Sequence, residues 1–580
     1  MIRSTAQRFP HLAGICVLVA LACLLYVPFL KNPFIFDDLT LFGGSGFANY
    51  ATLSGIHLRH LPYFSLAFPQ IMWGHFPPWG HPEMHRLMSL AFHIACSLAL
   101  YKLLHDLLLA VRTPLDARSA EDARASARTL AFVGAAVFAI HPVAVYGAGY
   151  LIQRTIVMAT LFSLLSVTYF VRGLARRSHA DAVTAAVLYA LAVFSKEHSV
   201  LVPGVVVLSA LLVQAEGRFA ARHAALYLAA CAPAAILATL LGSGAIGVAY
   251  EPFASGVADQ VEGVSGFDIL ASSWAVSAVT QTGLFFKYLA LWVWPDTRAM
   301  SIDLRVDFVE AWTPGWRFLS VSAFAAYGAL GALLLRRGGR SGLAGLGLLY
   351  TWILFLVELA TARFQEPLIL YRSYLWAPGI MMVLVAALDG IPRRAAFAMF
   401  AVACPVLLYQ AHDRLMTFSS PFLLWQDAVA KLPEKPIPWG SRTLYNLGRE
   451  YLYSGQPEKA AELAERCLAQ YPNTYHCHFA RGAIHREQGQ FEQARQHFER
   501  ALAVRPGSAI AHYHLGSILE SLGRLDEATA SYRRAAQLGF APARAHVSSG
   551  SASSGGPDAR TKAIAPPAAR DDREGEKRTR

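Results

Sequence analysis

HLAGICVLVALACLLYVPFL, residues 11–30, contains no acidic or basic side chain other than its leading histidine. A helix needs about 20 mostly apolar residues to cross the hydrocarbon core of a bilayer, and this stretch supplies them. Comparable stretches recur near 84–108, 129–145, 154–172, 181–195, 199–215, 224–242, 318–336, 342–360, 373–390 and 394–410, and none follows Gln410. Composition agrees: 55% of residues are hydrophobic and 16% charged, against about 25% charged in an average soluble domain. The fold class expected is therefore all-α, a polytopic helix bundle of about eleven spans. Arg3 and Arg8 precede the first stretch as they would in a signal peptide, but it is long for an h-region and no small-residue cleavage site follows in 31–38, so it reads as a retained span. A net charge of +12 would suggest nucleic acid in a soluble protein. Here the basic residues sit mostly between spans, and no nucleic-acid partner is expected. The seven cysteines show no CxxC and no zinc spacing, and five lie in apolar stretches as small hydrophobes.

Basic loops tend to remain cytoplasmic. Arg112, Arg118, Arg124 and Arg128 share one loop, as do Arg172, Arg176 and Arg177, Arg218 and Arg222, Arg336, Arg337 and Arg340, and Arg393 and Arg394. All fall on one side if the N-terminus is cytoplasmic, and an odd number of spans then delivers the C-terminal part to the other side, the periplasm of a bacterial inner membrane. Ser273–Trp294 is apolar but carries Lys287, and counting it as a crossing would reverse every later loop. It is expected as a re-entrant or interfacial helix on the outer side, preceded by a Gly/Ser-rich outer loop over 242–272.

Beyond the bundle the sequence repeats every 34 residues: Gly448, Gly482 and Gly516; Gly455, Gly489 and Gly523; Ala460, Ala494 and Ala528; with Pro472 and Pro506 closing two units. That period, with small residues at the helix contact, is the tetratricopeptide pattern of stacked helix hairpins, an α-solenoid. Phe498 and Tyr532 fill the bulky packing position, where the first unit has Ala464. The organisation expected is a membrane domain over 1–411 with an outer loop at 31–83, a linker and cap helix over 412–440, repeats over 441–542, and a Ser/Gly/Pro-rich, then charged, disordered tail over 543–580.

The chemistry-bearing residues lie on the side opposite the basic loops. Asn32-Pro33-Phe34-Ile35-Phe36-Asp37-Asp38 follows the first span. Two adjacent carboxylates raise each other's pKa and suit a general base or a metal site, and equally an acidic first turn of a helix. Cations gather at span ends: Arg59, Arg86, Arg154, Lys196, Lys287 and Arg372. Long basic side chains there commonly snorkel. Lys196, however, sits in Ser195-Lys196-Glu197-His198 between two short spans, and Arg154 in a tight junction that opens with His141-Pro142. Ionisable groups at membrane depth mark substrate paths, and cations beside carboxylates suit release of a phosphate.

Taken in order, these segments resemble the transmembrane and tetratricopeptide-repeat-containing O-mannosyltransferases and their bacterial relatives, glycosyltransferases of the GT-C superfamily. Phe36-Asp37-Asp38 resembles the family's acidic motif. Arg59-His60-Leu61 with Phe64, and His85-Arg86-Leu87 with His93, resemble the flanks of its second span. Phe138-Ala139-Ile140-His141-Pro142 with Ile152-Gln153-Arg154 resembles its third-to-fourth junction. Ser195-Lys196-Glu197 is similar to its Ser-Lys-Glu, Tyr371-Arg372-Ser373-Tyr374-Leu375 to its Arg-x-Tyr-Leu segment, and Leu424-Trp425 with Asp427-Ala428-Val429 to the lead-in to its repeats. Tyr146 stands where the family usually has a glutamate, which leaves dependence on a divalent metal open; no other cofactor is expected.

The resemblance implies a polyprenyl-phosphate monosaccharide as donor, transfer with inversion to a protein Ser/Thr hydroxyl, and an acceptor protein engaged by the repeats. Asp37 or Asp38 would be the base, and Lys196, Arg154 and Arg372 would bind the donor phosphate. Glu197, His141, Arg59, Arg86 and His85 would support them. Two alternatives stand beside this reading: a GT-C transferase acting on a glycolipid or surface polysaccharide, and a non-catalytic membrane scaffold that binds proteins through its repeats.

Overall fold

The computed structural model describes residues 9–43, 50, 57–73, 82–112, 117–215, 217–246, 273–308, 313–364, 366–437 and 439–549. Every apolar stretch read from the sequence is helical. Eight helices are long and apolar enough to cross a membrane: His11–Phe29, Pro82–Ala110, Ala120–Ile140, Leu151–Arg176, Gly217–Ala245, Pro314–Arg337, Gly339–Leu359 and Arg393–Thr417. The three remaining stretches form shorter apolar helices, His179–Ser195, Glu197–Leu212 and Ala377–Leu388. The chain is a multi-pass membrane protein, an all-α bundle followed by a tetratricopeptide α-solenoid.

The chain divides into two compact units, 1–34 with 46–419 and 35–45 with 420–580. Two sequence boundaries are corrected. The last bundle helix, Arg393–Thr417, runs past 411. The segment Ile35–Ser45, assigned from sequence to the membrane domain, belongs with the repeats.

In the bundle, the arginines that set the expected orientation also tie loops together. Arg112 pairs with Asp389, and Arg340 Nη1 donates to the Asp389 carbonyl. Three basic loops therefore share one end of the bundle, as a common side requires. Ser273–Val293 is a single 21-residue helix. It lies along the segment 359–373: Trp274 Nε1 donates to the Leu359 carbonyl at 2.7 Å, Gln281 to Pro367 at 2.8 Å, and Trp292 Nε1 to Ser373 Oγ at 2.9 Å. Lys287 is on its exposed side, apart from the other cations. Most of the outer loop expected over 242–272 lies outside the described residues.

The repeat unit opens with the lead-in helix Pro421–Ala430, where Ser420 Oγ accepts the Leu423 amide and Pro421 occupies the first turn. Three hairpins follow: Gly440–Tyr453 with Pro457–Gln470, Tyr475–Glu487 with Phe491–Val504, and Ala509–Ser521 with Leu525–Gln537. Gly455, Gly489 and Gly523 take φ of +70°, +71° and +75°, the left-handed turn that each hairpin needs and glycine permits. A further helix, Ala541–Ser549, stacks His546 on Tyr532 at 4.4 Å, so the repeats continue past 542. Residues 550–580 of the expected tail lie outside the described residues.

The small-residue contacts are not equivalent. A Cβ on Gly516 would sit 2.9 Å from the Tyr532 ring, whereas one on Gly448 would meet nothing nearer than 3.9 Å, because Ala464 replaces the aromatic residue there. Gly516→Ala is expected to destabilise the repeats by about 1–3 kcal/mol through overpacking. Gly448→Ala is expected to be neutral or stabilising by up to about 1 kcal/mol through helix propensity. Denaturation followed by protease cleavage within the repeats would measure both, and equal effects would contradict the packing described.

Candidate functional site

Three junctions in the bundle abandon α-helical geometry. After Ala120–Ile140 the chain passes through 3-10 turns at Pro142–Ala144 and Leu151–Gln153 before Arg154 starts the next helix. Lys196 is extended, with φ −154° and ψ 121°, ahead of the 3-10 turn Glu197–Leu201. Gly339–Phe355 tightens into Leu356–Leu359, and a second 3-10 turn, Leu370–Tyr374, precedes Ala377–Leu388. These pieces pack on one another, Pro142–Ala144 against Leu370–Tyr374 and Glu197–Leu201 against Leu356–Leu359. Irregular backbone at membrane depth survives only where protein or a polar cavity satisfies it. The 17-residue helix His179–Ser195, at 1.5 Å per residue, spans only about 25 Å of a roughly 30 Å core.

An ionic cluster fills this region. Arg59, at φ +63°, donates from Nε to Glu197 Oε2 at 2.9 Å and from Nη2 to Oε1. That fork takes up the Glu197 carboxylate, the one partner that sequence proximity offers Lys196. Glu358 is buried, with Oε2 3.0 Å from Arg363 Nε and 3.3 Å from Arg372 Nη1, and Oε1 3.1 Å from His198 Nε2. His198 Nδ1 lies 3.4 Å from Glu197 Oε1 and joins the two carboxylates into one network. Lys196 is 6% exposed. Its Nζ lies 6.0 Å from the centre of the Tyr371 ring, at the outer limit of a cation–π contact. It makes no hydrogen bond or ion pair among the described residues. Four cations, Arg59, Lys196, Arg363 and Arg372, thus lie around the carboxylates Glu197 and Glu358. Charge is expensive in such a setting and persists where it is paired.

Other sequence candidates hold backbone in place. Arg154 is fully buried, and its guanidinium donates to Ser89 Oγ at 3.1 Å, the Ser65 carbonyl at 2.9 Å, Ser65 Oγ at 3.2 Å and the His85 carbonyl at 2.6 Å. These bonds occupy nitrogens that phosphate binding would need. Arg86 gathers three carbonyls, Asn32 at 2.9 Å, Gly149 at 2.7 Å and Pro33 at 2.5 Å. The His85 ring lies 6.2 Å from that of Phe34. His141 caps its turn through Nδ1, which accepts the Val143 amide at 3.2 Å, and stacks on Trp292 at 4.3 Å. His93 Nε2 faces the Ala139 carbonyl at 2.9 Å and must donate, so Nδ1 accepts from the Tyr374 hydroxyl at 2.6 Å. Tyr146 is buried edge-to-face against Phe418 at 5.5 Å.

In the other unit, Asp37 and Asp38 open the seven-residue helix Asp37–Gly43. Asp38 is fully buried, and its Oδ2 accepts the Ile35 amide at 3.4 Å; Asp37 is partly exposed. Among the described residues, no three His, Cys, Asp or Glu side chains converge as a metal ion would need. Sequence reasoning missed Glu358, Arg363 and His198. An isolated Glu358 near the end of an apolar run was the available signal, since such a carboxylate needs cationic partners. It also missed a disulfide between Cys467 and Cys477, which joins the first hairpin to the second.

Comparison with known proteins bears on the C-terminal part most directly. Tetratricopeptide repeat family models match residues 441–474 and 479–544. No curated protein sequence matches the chain. Among solved structures, the archaeal oligosaccharyltransferase AglB from Archaeoglobus fulgidus, in complex with an inhibitory peptide and a dolichol-phosphate, aligns at 12% identity. The alignment covers 80% of this chain and 60% of that one, with a TM-score of 0.38. The present chain thus spans less than two thirds of that protein, and the residues 441–544 carry a tetratricopeptide-repeat array.

Proposed function

We propose that the protein is a GT-C type membrane glycosyltransferase that moves a monosaccharide from a polyprenyl-phosphate donor to a protein Ser/Thr hydroxyl on the periplasmic side, with inversion. The observation that carries this reading is Lys196, a buried ammonium whose neighbouring carboxylate is committed to Arg59. A buried ammonium held among arginines is preorganised for a departing phosphate, the group on which charge develops as the sugar leaves. Lys196 and Arg372 would bind that phosphate. Arg59, Glu197, Glu358, Arg363 and His198 would hold the two in place, and Arg154, Arg86, His85 and His141 would shape the surrounding backbone. An acidic residue of the Asp37–Asp38 pair would take the proton of the attacking hydroxyl. The repeats would engage the acceptor polypeptide, as stacked hairpins commonly do.

Transfer of labelled sugar from a polyprenyl-phosphate donor by the purified protein, together with intact masses of envelope proteins from a deletion strain and its parent, tests the reading. Loss of a hexose-sized increment from one or more envelope proteins is expected. An unchanged protein profile with an altered glycolipid would move the acceptor from protein to lipid.

The Cys467–Cys477 disulfide supports placing the repeats outside the cytoplasm, since such bonds persist in oxidising compartments. Alkaline phosphatase fused after Phe540 is expected to be active and a fluorescent protein there dark, and both thiols are expected to resist alkylation in intact cells until reduced. A bright fluorescent fusion with freely alkylated thiols would reverse the orientation.

A further inference from the structure

The residue immediately before the acidic pair is held in an unfavourable conformation by the repeat unit. Phe36 has φ +49°, a left-handed backbone that is unfavourable for a non-glycine residue and persists only where its surroundings over-determine it. The turn is closed locally: the Asp38 amide donates to the Ile35 carbonyl at 2.9 Å, and the Leu39 amide to that of Phe36 at 3.1 Å. Its anchor is the Phe36 ring, which meets Trp425 edge to face at 5.5 Å and has the Arg442 guanidinium 5.5 Å from its centre. Around them lies an apolar cluster of Trp425, Ala428 and Leu447, with Phe422 and Val429 at its margin. Trp425 belongs to the lead-in helix Pro421–Ala430, and Arg442 to the first turn of the first repeat helix.

We propose that Trp425 and Arg442 are positioning residues for Asp37 and Asp38, acting through Phe36, so that the repeat unit sets the placement of the acidic pair as well as receiving a polypeptide. The functional half of this inference rests on the transferase reading; the anchoring half does not. Loosening the anchor frees a strained turn to relax toward ordinary φ, and the two carboxylates move with it. A change at the first repeat, where a polypeptide ligand would be engaged, is thereby coupled to the acidic motif.

The test is hydrogen exchange of the full-length protein in detergent, read on peptides covering 35–43, for the wild type, Trp425→Ala, Trp425→Phe and Arg442→Ala. Trp425→Ala is expected to raise exchange in 35–43 by about tenfold or more, with peptides from 82–110 and 475–537 unchanged. Trp425→Phe should restore most of the protection, since a ring can still meet Phe36. Arg442→Ala, which leaves the apolar cluster intact, should raise exchange by a smaller factor and serves if Trp425→Ala does not fold. In the transfer assay the same variants should lower kcat and leave the KM for the polyprenyl-phosphate sugar unchanged. Unaltered exchange over 35–43 in both alanine variants overturns the anchoring, and faster exchange with an unchanged kcat overturns the positioning role. Faster exchange in a protein whose wild type transfers no sugar upholds the anchoring and removes the transferase reading instead.

Discussion

Lys196→Ala is expected to slow transfer by roughly 10²- to 10³-fold, the equivalent of about 3–5 kcal/mol for a buried charge that loses its partner, while the protein stays at least as stable as the wild type. The second half of that expectation is the informative one. Glu197 is engaged by Arg59 through two hydrogen bonds, so removing Lys196 orphans no carboxylate. Arg59, Arg372 and Arg363 repel the ammonium while Glu197 attracts it, and the alanine variant is relieved of the repulsion and of the cost of burying the charge. Lys196→Arg should recover only part of the activity, because a planar fork does not replace a compact point charge in a tight junction. Glu197→Gln makes the contrasting control. It leaves Arg59 without its charged partner and should lower stability, by less than a fully buried pair would because both side chains are partly exposed. Thermal stability in detergent measured beside turnover separates the cases, and a Lys196→Ala protein that fails to fold would mark the lysine as structural.

The bundle was legible because its signal is redundant. Each span repeats the same demand, about 20 apolar residues, and all eleven stretches read from sequence recur as helices. The repeats were legible because a period of 34 is self-checking, and the positive φ at Gly455, Gly489 and Gly523 is the conformation such punctuation requires. Partners inside the cation cluster were not legible. Lys196 and Glu197 are adjacent in sequence, yet a 3-10 turn starts at Glu197 and directs its carboxylate to Arg59, 138 residues earlier. Glu358 stood out only as an isolated carboxylate near the end of an apolar run, with no sign of its partners. Its three partners, His198, Arg363 and Arg372, converge through junctions whose geometry no periodicity encodes. Arg154 shows the converse: a cation in a tight junction reads equally as a ligand or as a clamp, and only its four hydrogen bonds to Ser65, Ser89 and His85 distinguish the two. The place of Ile35–Ser45 with the repeats was likewise hidden, since a short segment beside a span carries no mark of a partner almost 400 residues away.

Asp37→Asn is expected to abolish measurable transfer, with a loss of about 10²- to 10⁴-fold, the usual contribution of a general base. Asp38→Asn is expected to be milder in activity and costlier in stability. The two carboxylates differ in what surrounds them. Asp38 is fully buried and its Oδ2 accepts the Ile35 amide, closing the turn in which Phe36 is held at φ +49°. That is a structural task, and an asparagine carries it out only in part: its carbonyl oxygen still accepts a hydrogen bond, but the charge is lost. Asp37 is partly exposed at the first position of the helix. There the amide preserves shape but cannot take a proton. Donor binding should survive in both variants, because phosphate recognition is assigned to Lys196 and Arg372 and not to the acidic pair. The measurement is single-turnover transfer alongside donor affinity, with hydrogen exchange over 35–43 to confirm that the turn remains closed. Retention of more than half the wild-type rate by Asp37→Asn, with Asp38→Asn inactive and the turn intact, would assign the base to Asp38. Full activity in both would remove the acidic pair from the chemistry altogether and leave the cation cluster as an anion-binding site without a base.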